Sequence, residues 1–307
     1  AVTAEDYKVL VKTLYANAQA VQVYGGEDAE TPDYGKVYIS IKAKSGSNLT
    51  VATKESIITS LKRYAVASVT PVIIDPETTY ITLVVNFKYN SGITTKDVTA
   101  LQTNVLSKIA IYNNSTLEDF TGMFRYSKLI EDINGADTSI LSNITTLKLY
   151  KYFTPTLNSA VKYTLNFNNA LYNPHSGHNA TAGGIISSTG FKINDDSSAN
   201  EHFLDDDGEG ILRAYYLSGT TRVYTDSTYG TVNYTTGEVI LTSAHLTSIS
   251  NVDGAASTRV RVFAIPNSND VVPVRNQILS IDTSNSSITG EVDAIISGSS
   301  QAGTSYT

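Results

Sequence analysis

The feature that most constrains this chain is a change of hydrophobic periodicity at Thr154-Pro155. Before it, apolar residues recur at helical spacing and at strand spacing in turn. After it, short alternating runs dominate, separated by clusters of Gly, Asn, Asp and Ser. Such a pattern predicts an α+β, multidomain chain: two small two-layer α/β units followed by a mainly-β domain, sandwich-like or a small barrel. The expected divisions are 1–75 and 76–155 for the α/β units, 156–270 for the mainly-β domain, and 271–307 for a C-terminal β-hairpin and tail.

Thr3 is placed to cap a first helix, with Glu5 and Asp6 against the positive end of its dipole and Tyr7, Leu10, Val11, Leu14 and Ala18 at helical spacing. Gly25-Gly26 allow a tight reversal, and Val37, Ile39 and Ile41 alternate as in a half-buried strand. A second helix is expected from a Thr53 cap through Ile57, Ile58, Leu61, Tyr64 and Ala65, then a strand from Val69 to Ile74. Pro71 and Pro76 mark an edge or a connection, because proline cannot donate to a sheet ladder. From Thr79 to Tyr89 the alternation is cleanest: Ile81, Leu83, Val85, Phe87 and Tyr89 face one way and Thr82, Asn86 and Lys88 the other, with Val84 interrupting. A helix capped at Thr95 or a neighbour carries Val98, Leu101, Val105 and Ile109. A shorter one from Tyr126 to Ile133 stops at Asn134-Gly135, where a left-handed residue is expected, and Thr145 to Phe153 returns as a strand.

The order of these elements, opened by Val2-Thr3-Ala4-Glu5-Asp6-Tyr7 and followed by Val21-Gln22-Val23-Tyr24-Gly25-Gly26 and Lys36-Val37-Tyr38-Ile39-Ser40-Ile41, resembles the baseplate J-like family of contractile-tailed phages. Within that family the fit is closest to the large wedge proteins of T-even-type phages, and it is carried by the first half of the chain, to about residue 155. The resemblance implies a structural virion protein of the tail baseplate, assembled in the host cytoplasm, and not an enzyme. It further implies a wedge subunit that links neighbouring wedges into a ring and relays conformational change for sheath contraction and genome ejection. The implied partners are a second copy of itself, as a homodimer within the ring, other wedge proteins and a sheath-initiating protein.

In the second half, Val161 to Phe167, Thr221 to Tyr224, Thr231 to Tyr234, Glu238 to Thr242 and Arg259 to Ile265 read as short strands, with Thr235-Thr236-Gly237 as a hairpin loop. A last hairpin pairs Gln277 to Asp282 with Ile288 to Ala294, before a frayed Ser/Gly-rich end. Asn173 to Gly184 and Lys192 to Gly210 read as long polar loops. A hinge is expected at Thr154-Pro155, and another boundary at Asp75-Pro76.

A net charge of -7 argues against a nucleic-acid surface, since phosphate binding needs clustered Lys and Arg. No stretch approaches the ~20 apolar residues of a membrane helix. Without cysteine there is neither a disulfide framework nor a thiolate metal site. Triplets such as Asn48-Leu49-Thr50 and Asn143-Ile144-Thr145 follow from a chain rich in Asn, Ser and Thr and are not read as glycosylated. The chain opens at Ala1, inside what reads as a domain already under way, and is expected to be a fragment of a longer protein.

His175 and His178 form an H-x-x-H pair near His202 and the acidic run Asp205-Asp206-Asp207-Gly208-Glu209-Gly210. Histidine plus carboxylate suits zinc or manganese if the groups converge, but the bland reading, two solvated loops, is favoured. The carboxylates miss the alternating positions of an EF-hand loop, which argues against calcium. There is no G-x-S-x-G elbow, G-x-G-x-x-G or P-loop, so no catalytic, cofactor-binding or metal residue is assigned. The 20 tyrosines, with no tryptophan, fit interface contact and plain β-structure equally well. The alternative function is a carbohydrate-binding or cell-surface adhesion module on the Tyr-rich β half; a hydrolase using the acidic and histidine loops has least support.

Overall fold

A computed structural model of the chain describes residues 1–29, 31–44, 48–66, 68–178 and 184–293. Its contacts divide it into two compact units. One holds Ala1–Thr78, Ile111–Phe124 and Val272–Ser280; the other holds Thr79–Ala110, Arg125–Val271 and the described residues from Ile281 on.

The first unit opens with α1 (Ala4–Leu14). Thr3 caps it reciprocally: Thr3 Oγ1 accepts from the Asp6 N–H at 3.2 Å, while the Asp6 carboxylate accepts from the Val2 and Thr3 N–H groups at 2.8 and 3.0 Å. Those backbone donors, Val2 first, hold the Asp6 carboxyl below its usual range. β1 (Ala18–Gly25) and β2 (Lys36–Ala43) pair antiparallel. The crossover helix α2 (Val51–Leu61) then leads to β3 (Thr70–Ile74), parallel to β2. Pro71 does sit on an edge strand, since β3 ends the sheet order. The cap of α2 is Thr50, not Thr53: Thr50 has extended backbone and its Oγ1 accepts from the Thr53 N–H at 3.2 Å, so the helix starts earlier than its apolar spacing indicated. Tyr7 and Val11 of α1, Ile57 and Leu61 of α2, and Val21, Val23, Ile39, Ile41 and Ile73 of the sheet form one buried core.

Segment 272–280 is tied into this unit by Asn276, which adopts φ 63°. Its N–H donates to Gln22 Oε1 at 2.6 Å, and its Nδ2 donates to the Asp75 carbonyl at 3.1 Å. The Ser40 hydroxyl donates to its Oδ1, and its carbonyl accepts from the Glu77 N–H at 2.8 Å.

In the second unit β4 (Glu77–Tyr89) is the long strand expected, with Ile81, Leu83, Val85 and Phe87 buried and Val84 facing out. Lys88 is the exception: expected on the polar face, it is buried, at a place where a later strand puts Glu291 in register beside it. α3 (Val98–Tyr112) is capped by Asp97, whose carboxylate accepts from the Ala100 N–H at 2.7 Å, and it buries Leu101, Val105 and Ile109. α4 (Tyr126–Asn134) buries Leu129 and Ile133. Gly135 ends α4 at φ -81°, so the left-handed residue expected there is absent. The reversal is made instead at Asp137, whose carboxylate accepts from the Ser139 N–H and hydroxyl at 3.0 and 2.8 Å. β5 (Ile140–Phe153) starts before Thr145 and pairs antiparallel with β4 along its length.

The chain continues through β6 (Ala160–Asn166), β7 (Ile186–Ser188), β8 (Phe191–Ile193), β9 (His202–Asp206), β10 (Ile211–Ser218), β11 (Thr221–Asn233), β12 (Glu238–Ile249) and β13 (Val260–Ala264). β13 pairs with β5, and β7 with β13, so the position expected to be a hinge, Thr154-Pro155, lies inside one compact unit. The remaining strands run in the order β11-β10-β9-β8-β12-β6, and β11 also pairs with β12. This sheet therefore closes on itself, where two facing sheets were the other form expected. Gly230 permits the closure: it pairs with Leu241, and a Cβ there would lie 1.9 Å from the Ile240 carbonyl oxygen. Phe191, Leu204, Leu212, Ala214, Val239, Leu241 and Leu246 are buried. The Thr235-Thr236-Gly237 hairpin is present, with Gly237 at φ 76°. Thr221 to Tyr224 and Thr231 to Tyr234, expected as two strands, fall in β11 except for Tyr234, and β11 carries register shifts between them without a turn.

The expected C-terminal hairpin does not form. β15 (Ser287–Val292) pairs parallel with β4, from Ser287 beside Val84 to Val292 beside Tyr89, and not with β14 (Gln277–Ile281). A lone two-stranded hairpin is marginal in water, whereas a place beside the long strand β4 joins a larger sheet. Ala294 and the Ser/Gly-rich end lie outside the described residues. Among the described residues, no helix is long and apolar enough to cross a membrane.

Candidate functional site

The candidate residues divide between a strand and a turn. Lys192 to Gly210, expected to be a loop, contains the end of β8 and all of β9, so His202, Asp205 and Asp206 are buried strand residues. On β9 the side chains alternate between faces. Asp205 stands directly opposite Arg213 of β10 and accepts from Arg213 Nε at 2.9 Å, from Arg222 Nη1 at 2.8 Å and from the Tyr224 hydroxyl at 2.8 Å. Each guanidinium also lies on a ring, Arg213 over Tyr224 at 4.4 Å and Arg222 over Tyr215 at 4.7 Å. Asp206 takes the Ile186 N–H at 2.8 Å and the Tyr234 hydroxyl at 2.7 Å. Burial, and then the Asp206 carboxylate, push the Tyr234 phenol up. His202 sits between the Asn200 carbonyl and the Thr225 hydroxyl, each at 2.9 Å, with its ring edge-on to Tyr216. Both carboxylates thus spend their lone pairs on internal donors, and the arrangement is a fully engaged scaffold network.

His175 and His178 remain in a polar, exposed turn, as expected. The structure does bring them together: His178 Nδ1 and His175 Nε2 are 3.1 Å apart. Asp207, Gly208 and Glu209 form the adjoining turn. There the Asp207 carboxylate accepts from the Glu209 and Ile211 N–H groups at 2.8 and 2.9 Å, and the Gly208 carbonyl accepts from the Gly177 N–H at 3.1 Å. The H-x-x-H pair and the end of the acidic run therefore meet, while His202, Asp205 and Asp206 belong elsewhere. Among the described residues, no three His, Cys, Asp or Glu side chains are grouped to hold a metal ion.

Sequence reasoning missed Arg213, Arg222, Tyr224 and Tyr234 as the partners of the acidic pair. The available signal was the alternation of Arg213 with Tyr215 and of Arg222 with Tyr224, each putting a cation and an aromatic on one strand face. Many tyrosines work in this internal way. Tyr150 donates to Asp282 at 2.6 Å and stacks on Tyr80, whose ring also lies on Tyr152, beneath Arg259.

Comparison with known proteins places the first half of the chain. Residues 3–74 match the family model described as baseplate structural protein gp6, C-terminal domain I, and residues 77–152 match that for its C-terminal domain III. The chain is 30% identical over 166 residues to baseplate wedge protein gp6 of Enterobacteria phage T4, an alignment that covers 53% of this chain. It spans about a quarter of that relative's length, 24%. A cryo-EM structure of the anti-feeding prophage baseplate aligns with 48% of this chain and 33% of its own, at 14% identity and a TM-score of 0.34, too low to carry argument. Through residues 3–152, this chain is similar to the C-terminal portion of a T4-like baseplate wedge protein.

Proposed function

We propose that this chain serves in the tail baseplate of a virion as part of a wedge subunit that joins neighbouring wedges into a ring. The observation that carries the reading is the 30% identity over 166 residues to a baseplate wedge protein, beside the matches of residues 3–74 and 77–152 to two gp6 C-terminal domain models. In this role the protein is structural and not catalytic. It pairs with a second copy of itself and meets other wedge proteins and a sheath-initiating protein, and it relays a change of shape to the sheath.

Physical support comes from the stiffness of the parts. A relay needs bodies that move without deforming, because packed cores switch between discrete arrangements and do not bend smoothly. Asp205, locked by two arginines and a tyrosine, and Asn276, bonded to Gln22, Ser40, Asp75 and Glu77, resist local deformation. Sedimentation equilibrium of the purified chain across a concentration series tests the self-pairing. A two-fold dimer is expected, and a monomer persisting at high micromolar concentration would defeat the linking role for this part of the subunit.

A further inference from the structure

The turn that carries His175 and His178 has the form of half a metal site. His175 Nδ1 lies 3.1 Å from the Ser176 carbonyl and donates to it, which assigns the free lone pair to Nε2. His178 Nδ1 donates to that lone pair at 3.1 Å, with the two ring planes at 81°. This spacing is an edge of a coordination shell, since two nitrogens each about 2.0–2.1 Å from a zinc ion stand roughly 2.9–3.4 Å apart. Gly177, at φ 71°, makes the tight turn that brings the rings together.

The surroundings are prepared as well. Gly177 N–H and Asn173 Nδ2 both donate to the Gly208 carbonyl at 3.1 Å, which fastens the histidine turn to the Asp207–Glu209 turn. The Glu209 carboxylate consequently lies beside Gly177, 3.6 Å from where a Cβ would stand. Tyr172 packs edge-on against His178 at 5.5 Å. Asn173 Oδ1 is buried at the same place and has no hydrogen-bond partner among the described residues.

We infer that His175 Nε2 and His178 Nδ1 form a two-histidine site for a borderline divalent cation of the zinc class, with Glu209 and water completing the shell. Among the described residues no third ligand converges on the pair as it stands, so Glu209 turns in when the ion binds. His178 then shifts its proton from Nδ1 to Nε2, both rings stay neutral, and the ion replaces the hydrogen bond between them. Imidazole nitrogen selects zinc, nickel or copper over magnesium and calcium, which prefer all-oxygen shells. The bound ion would staple the 173–178 turn to the 207–209 turn. The site is independent of the baseplate reading, because its evidence lies outside the residues that match the family.

The test is calorimetric titration of the tag-free full chain with zinc chloride, with magnesium chloride as control, followed by imidazole nitrogen chemical shifts in NMR. One equivalent of zinc should bind in the micromolar range, shift the nitrogens of His175 and His178 but not of His202, and be weakened at least about tenfold in His175→Gln and in His178→Gln. Glu209→Gln should weaken it less than either histidine change. Zinc binding that survives both histidine substitutions, a matching response to magnesium, or no saturable binding overturns the inference. Unaltered circular dichroism of the variants excludes unfolding as the cause of a loss.

Discussion

Strand β9 and the turn at His175 are built from the same residue types, histidine beside carboxylate, and the fold treats them in opposite ways. On β9, Asp205 is 1% exposed and has three charge-assisted or hydroxyl donors, whereas the histidine turn faces solvent and its rings hold mainly each other. The difference teaches that a polar run is not read by composition. What separates the two is whether the neighbouring strands can supply a donor for each lone pair. β10 and β11 carry Arg213, Arg222 and Tyr224 at the heights where Asp205 needs them.

The sharpest way to break this comparison is Asp205→Ala. It removes a shared acceptor from two guanidinium groups and a phenol in a largely buried place, and a loss of about 3–5 kcal/mol in urea unfolding is expected. A loss below about 1 kcal/mol would mean that the network is loosely held and no different in kind from the turn. His202→Ala should come next, at about 1–3 kcal/mol, because the Thr225 hydroxyl and the Asn200 carbonyl lose a buried partner. This departs from the sequence expectation that His202 lies in a solvated loop.

A third prediction uses a carboxylate between these extremes. The hydrogen bond from the Lys96 ammonium, helped by Ser139, lowers the Asp137 carboxyl to about 2. Because that value lies below the unfolded one of about 3.9, the stabilisation is complete above pH about 4 and is lost as pH falls through about 2. The stability difference between the natural chain and Lys96→Met should therefore be largest near neutrality and fade toward pH about 2. A difference that does not change with pH would remove the electrostatic explanation. The smallest effect is expected from His175→Ala and His178→Ala, each within about 0.5 kcal/mol in chelated buffer. A larger loss without metal would show that the turn is as integral as β9.

What the sequence by itself determined is local or strictly periodic. The Thr3–Asp6 cap, the alternating core of β4, the Pro71 edge and the Gly237 hairpin all rest on contacts within a few residues or on a repeat that survives along a whole element. The helices and strands of residues 3–152 were legible for the same reason, and so was their resemblance to baseplate proteins. Tertiary structure alone decided the rest. β9 hides inside a polar run because its stability comes from arginines and tyrosines 7 to 28 residues away, which no window over the run contains. β15 lies along β4 and not in a hairpin because a sheet partner is chosen by the edge available in the folded unit. At Thr154-Pro155 the chain passes from one sheet to another without leaving the compact unit, since β13 returns to pair with β5 from more than a hundred residues further on. Even the closeness of Gly177 to Glu209 is set by one carbonyl, that of Gly208, which collects two donors from the opposite turn. A repeat of two or of 3.6 tells a residue which way to face; which surface it then meets depends on chain-distant groups that must already be in place.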